Sequence, residues 1–148
     1  MNIAIQHATR EHLKGIHKLV PDWGYSASES ETQEWLEALL NSRNHRILVA
    51  IADGSVAGWA VAEKRITLDY GWVSEITALV VGSNYRRLGI GKLLVNAVED
   101  WSKDLGLARL VVRSNVTRLE SPEFYPAIGF ELTKTTHVYA KALKPSGK

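Results

Sequence analysis

The sequence predicts a mixed α/β domain built on one central sheet, and three observations lead there. Apolar residues recur at helical spacing from Ile90 to Leu105, Asp53-Gly54 divides two β-rich runs, and the 45% hydrophobic and 23% charged content is near the globular average. A chain of 148 residues has room for one core. Residues 1–143 are therefore read as a single domain and 144–148 as a flexible tail. No cysteine is present, which excludes disulfide scaffolds, cysteine-based zinc sites and a cysteine acyl-enzyme. It also suits a reducing compartment, and the expected location is the cytoplasm. A formal net charge of +2 argues against a dedicated nucleic-acid binder. No run approaches the roughly 18 apolar residues of a membrane span, and the start lacks a basic then apolar leader.

The elements follow in order. Ile3 to His7 reads as a strand, and Thr9 caps a helix whose Leu13, Ile16 and Val20 share one face before Pro21 stops it. Ser28 with Glu31 forms a capping box ahead of a second helix striped by Trp35, Leu36, Leu39 and Leu40. Arg46 to Ala52 and Val56 to Glu63 make a hairpin about Asp53-Gly54, and a further strand runs from Gly71 or Trp72 to Val81. Gly89 to about Leu105 is a helix with Gly106 as its left-handed stop. Ala108 to Arg113 is β-rich, Ser121 and Pro122 open a short helix ending near Gly129, and two closing strands are expected at 130–134 and 136–140. The order is βααβββαβαββ.

The sharpest local signal is Arg86-Arg87-Leu88-Gly89-Ile90-Gly91-Lys92, between a strand and the most regular helix. Unpaired amides at a helix N-terminus, made approachable by glycines and flanked by two arginines, form a plausible cradle for a phosphate or pyrophosphate. A Walker loop fails, because it needs glycine where Arg86 stands and Ser or Thr where Leu93 stands. A dinucleotide fingerprint fails too, for want of a glycine at Leu94. A solvated turn whose glycines only reverse the chain remains the bland alternative.

Leu79-Val80-Val81 followed by Arg86-Arg87-Leu88-Gly89-Ile90-Gly91 resembles the acetyl-CoA signature Arg/Gln-x-x-Gly-x-Gly/Ala of the GNAT N-acetyltransferases. Asn115, Phe124-Tyr125 and Gly129-Phe130 are similar to the second block of that family, and the resemblance covers nearly the whole chain. Two departures are Gly82-Ser83, where the family often has proline at the second position, and Pro126 after the tyrosine. The resemblance implies an acyl-CoA N-acyltransferase fold with a mostly antiparallel central sheet flanked by helices. It also implies acetyl-CoA as co-substrate, a primary amine of a small molecule or peptide as acceptor, and a homodimer by analogy. A catalytically weak acyl-CoA-binding or sensing module of the same fold is the alternative.

Acetyl transfer to an amine needs a neutral nucleophile, a stabilised oxyanion and a protonated leaving thiol. The resemblance assigns coenzyme binding to Leu79, Val80, Val81, the Arg86 to Lys92 loop and Asn115. It puts a bulge in the strand ending at Val81, freeing amides near Leu79 and Val81. Tyr125 is the candidate general acid, since proton transfer from tyrosine to a thiolate is uphill by only about 1.5 pKa units, roughly 2 kcal/mol. A core aromatic is the alternative for it. Glu75 is the candidate base. It shares a face with Thr77, Leu79 and Val81 if the bulge lies outside that stretch, and a structural ion pair is its alternative. The resemblance also makes Pro21 to Ser30 and the second helix one wall of the acceptor site, with Trp23, Tyr25 and several glutamates suited to a cationic amine. The five histidines have no metal-ligand spacing, so no metal is expected.

Overall fold

The computed structural model describes residues 2–114 and 121–144, which fall into two compact units divided after Arg113. The first unit holds a five-stranded sheet in the order β1 (Ile3–His7), β2 (His45–Ala52), β3 (Ser55–Thr67), β4 (Gly71–Val81) and β5 (Leu110–Val112). The first four strands are antiparallel neighbours and β5 is parallel to β4. Helices α1 (Leu13–Lys18), α2 (Val20–Trp23) and α3 (Glu29–Leu40) separate β1 from β2, and α4 (Ile90–Asp104) connects β4 to β5. Mixed α/β architecture and the mostly antiparallel sheet are as expected.

Local chemistry accounts for the boundaries. Asp53 and Gly54 both have positive φ, 50° and 83°, the backbone of the tight turn that an Asp-Gly pair favours between antiparallel strands. Ser28 and Glu31 close their capping box at 3.0 Å in both directions. Thr9 also begins a capping box, but its reciprocal partner is His12, and the first turn is 3₁₀ rather than α. Pro21 corrects the expected helix stop. It lies in the first turn of α2, where its missing N–H is no loss, and Gly24 in the left-handed state ends that helix instead.

Two apolar layers clothe the sheet. Ile16, Leu19, Val20 and Leu36 from α1 to α3 pack on Ile47, Val49, Trp59, Val61, Ala78 and Val80. On the opposite face lie Ala50, Gly58, Ala60 and Ala62, whose small side chains let the buried Ile90, Leu94, Val95 and Val98 of α4 sit close. A Cβ built on Gly58 would meet the Val80 carbonyl oxygen at 2.7 Å and Ile90 Cγ2 at 3.2 Å.

The second unit contains α5 (Ser121–Ala127). Pro126 lies in its last turn, and left-handed Gly129 follows. The closing strands expected at 130–134 and 136–140 are corrected. Those residues are largely exposed and pair with no strand among the described residues. β-forming composition becomes a strand only when a neighbouring edge supplies its ladder.

Gly58→Ala should destabilise the protein by about 1–3 kcal/mol, because the added carbon meets rigid backbone rather than a movable side chain. Urea unfolding checks this.

Candidate active site

The register of β3 against β4 slips once. Val61 faces Ala78 and Ala62 faces Ile76, so Thr77 is an extra residue bulged out of β4. Its hydroxyl donates to the Val61 carbonyl at 3.4 Å. The bulge therefore falls inside the stretch from Glu75 to Val81, and the expected single face divides. Glu75 shares the face of Ala78 and Val80 with α1 to α3, whereas Leu79 and Val81 lie on the α4 face, opposite Ala60 and Gly58.

The far half of β4 has an open edge. β5 pairs only with Ser74, Glu75 and Ile76, and no described strand lies beside Leu79 to Val81 on that side. The Gly82 N–H donates across to the Ala57 carbonyl of β3 at 2.8 Å. Successive amides of an extended strand point to opposite edges, so those of Leu79 and Val81 point away from β3.

A loop at the end of that edge leads into α4. Arg86 is extended, Arg87 has φ 66° and Gly89 φ 80°. Left-handed residues within such a turn make neighbouring N–H groups converge on an anion. Gly89 owes its place to that φ rather than to space, since a Cβ there would touch nothing within 4 Å. It is the N-cap of α4 and brings no side-chain cap, and the first helical bond is Leu93 N–H to the Gly89 carbonyl at 3.1 Å. The amides of Ile90, Gly91 and Lys92 therefore have no acceptor within the helix, at its positive end. Leu88 is exposed beside them. Open strand edge and uncapped helix end thus follow one another along the chain. An extended, amide-bearing arm ending in a diphosphate fits that pair of features.

Glu75 is buried, and its Oε1 accepts from Arg65 Nη1 at 2.8 Å and Arg113 Nη1 at 2.5 Å. The hydrogen bond from Glu75, then its charge, hold the Arg113 guanidinium above its ordinary range, against a smaller opposing effect of burial. The carboxylate joins β3, β4 and the end of β5 one strand position before the sheet opens. Neither arginine was legible as its partner, since they lie 10 and 38 residues away in sequence.

In the second unit, the Tyr125 ring stands edge-on between Phe124 and Phe130, with centroids at 5.0 and 5.6 Å. The Tyr125 carbonyl accepts from Phe130 N–H at 3.0 Å, so the chain folds back after Pro126. Asn115 lies outside the described residues. In the segment that the resemblance assigns to the acceptor, Trp23 stacks obliquely on Tyr25 at 4.4 Å and edge-on to Trp59 at 5.3 Å. Of the α3 glutamates, Glu31 serves the capping box and Glu37 pairs with Arg10 at 3.4 Å, while Glu29 and Glu34 are exposed.

Residues 10–130 match the family model of the Acetyltransferase (GNAT) family. The chain belongs to that family and is an acetyl-CoA-dependent N-acetyltransferase. Among curated proteins it is similar to aminoglycoside N(6')-acetyltransferase type 1 of Stenotrophomonas maltophilia, 27% identical over 80% of each chain. The enzyme of the same name from Salmonella enteritidis is 25% identical over 88% of this chain and 91% of its own. Among solved structures, AAC(6')-Iy in complex with the bisubstrate analog CoA-S-monomethyl-acetylneamine superposes with a TM-score of 0.87 at 23% identity. The alignment covers 96% of this chain and 99% of that one.

Glu75→Gln should lower stability by about 1–2 kcal/mol. That is less than the roughly 3–5 kcal/mol of a fully buried pair, because Arg113 is 57% exposed and can rehydrate. If Glu75 is also the base, the same variant moves the pH–rate profile; a structural anion leaves the profile in place.

Proposed function

We propose that this protein acetylates a primary amine of an aminoglycoside-type polycation by direct transfer from acetyl-CoA in a ternary complex. The observation that supports it most is the open amide edge at Leu79 and Val81 running into the uncapped, left-handed loop at α4. Acetyl-CoA brings an activated thioester; the chain's own groups bind, orient and move a proton. Backbone amides from Gly89 to Lys92, with Arg86 and Arg87, take the diphosphate. The amides of Leu79 and Val81 hold the arm and polarise the acyl carbonyl, where negative charge gathers as the amine attacks. A C–N bond forms and the C–S bond breaks; the attacking nitrogen gives up its proton to solvent water, and the Tyr125 hydroxyl supplies a proton to the departing sulfur and is reprotonated from solvent. Val80, buried against α1 to α3, keeps its strand in place beside the arm, and the resemblance assigns Asn115 to the coenzyme as well.

The acceptor class rests on the curated relatives named for aminoglycoside N(6')-acetylation and on chemistry at α3. Exposed Glu29 and Glu34 with the Trp23–Tyr25 pair give a wall of negative charge and π faces, which attracts an ammonium-rich sugar. Residues 1–143 act as one domain in this reading, supported by a family match that runs across residue 113. Cytoplasmic residence accords with a thiol-ester co-substrate, and a homodimer is the assembly proposed. No helix among the described residues is long and apolar enough to cross a membrane.

Free-thiol release from acetyl-CoA across a panel of amines tests the proposal. An aminoglycoside with a 6'-amine should turn over, and its 6'-hydroxyl counterpart should not. Replacing Arg86 and Arg87 together by alanine should raise the acetyl-CoA KM by roughly tenfold or more, the loss of charge-assisted contacts, with a smaller change in kcat. Tyr125→Phe should lower kcat by about tenfold to a hundredfold and leave the acetyl-CoA KM within about twofold. Unchanged kcat removes Tyr125 from the proton transfer.

A further inference from the structure

The turn Ser83–Tyr85 lies between the open edge of β4 and the Arg86–Lys92 loop, and it is a single 3₁₀ turn. Its N-cap is Gly82, which has no side chain to offer, and no local side chain caps the turn. The missing acceptor comes from α2. Asp22 Oδ2 accepts from the Ser83 N–H at 3.1 Å, across 61 residues of sequence. The two segments also touch, since a Cβ at Gly82 would stand 3.0 Å from Leu19 Cδ2 and 3.2 Å from the Tyr85 ring. Within the turn, Tyr85 N–H donates to the Gly82 carbonyl at 2.8 Å, so the whole turn hangs from Gly82 and from the Asp22 bond.

We propose that Asp22 is a positioning residue for the coenzyme loop. Its carboxylate fixes the first amide of the turn that delivers Arg86 to Lys92. It thereby ties that turn to the segment Val20–Tyr25, which carries the aromatic pair of the acceptor wall. The inference rests on reading the Arg86–Lys92 loop as the diphosphate site.

The backbone offers an independent way to hold the same turn. Gly82 has φ −59° and ψ 143°, the extended state that a residue before proline prefers. Ser83 occupies the first position of a helical turn, where the fixed φ of proline fits and no N–H is needed within the turn itself; the N–H that proline removes is the one Asp22 accepts. A proline at 83 should therefore substitute for the Asp22 bond by stiffening the chain.

The test is a cycle of D22A, S83P and D22A/S83P, with D22N as the conservative variant. D22A should raise the acetyl-CoA KM by about three- to tenfold, the range of one hydrogen bond, with kcat within about twofold. D22N, which keeps an oxygen acceptor, should recover part of the loss. D22A/S83P should return to within about twofold of S83P. Without any ligand, hydrogen exchange of the Ser83 amide should accelerate in D22A. An unchanged KM or exchange rate in D22A, or a defect that S83P leaves intact, overturns the proposal. If the Arg86 and Arg87 alanine variant raises KM while D22A does not, this inference fails and the loop assignment stands. If neither raises KM, the loop assignment itself is wrong.

Discussion

The parallel pairing of β4 with β5 is the constraint on which the rest of the molecule depends. Parallel neighbours cannot be joined by a hairpin, so the chain must leave the top of β4, cross a face of the sheet and return. The crossover is α4, and its N-terminus necessarily falls beside the carboxyl end of β4. A site for an anion at that end is thus a product of topology before any side chain is chosen. The brevity of β5 completes it. With only three paired positions, β5 ends while β4 continues for five residues, with no described strand along that edge leading up to the helix.

Packing fixes where those donors stand. The alanines and the glycine on the sheet face admit the aliphatic stripe of α4, and each fully buried Leu, Ile or Val contributes roughly 1.5–3 kcal/mol. A helix held by several such side chains keeps its first turn still without help from a cap. Gly89 forgoes the capping side chain that would otherwise engage the first amides, and Arg87 accepts a left-handed φ that a non-glycine residue adopts at a cost of about 1–2 kcal/mol. Stability in the helix body is what lets its first turn do without a side-chain cap and follow a left-handed arginine.

Much of this was legible in the sequence because it is encoded locally. The Asp53-Gly54 turn, the Ser28 to Glu31 box, the period of α4 and the glycine loop each depend on residues within a few positions of one another. Two local signals pointed the wrong way, each for its own reason. Pro21 was expected to stop a helix and instead starts one, a choice decided by whether its N–H is needed. The segments at 130–134 and 136–140 have strand composition but no described partner. A bulge in this strand was expected from the resemblance, but its position at Thr77 was not legible, since Val73 to Ile76 are buried without alternation and no period of two survives to be interrupted. The arginines on Glu75 were hidden for a different reason: an ion pair across three strands exists only once the register is set.

That register also separates two kinds of charge that the sequence runs together. Glu75 and Arg113 bind the sheet to itself on the face of α1 to α3, one step before it opens. Arg86 and Arg87 lie beyond the opening, at the head of α4. Had β4 alternated without a bulge, Glu75 would have stood on the same face as Leu79 and Val81, a carboxylate on the side of the sheet that carries α4. One extra residue turns it to the other side. The bulge therefore keeps a negative charge off the α4 face of the strand.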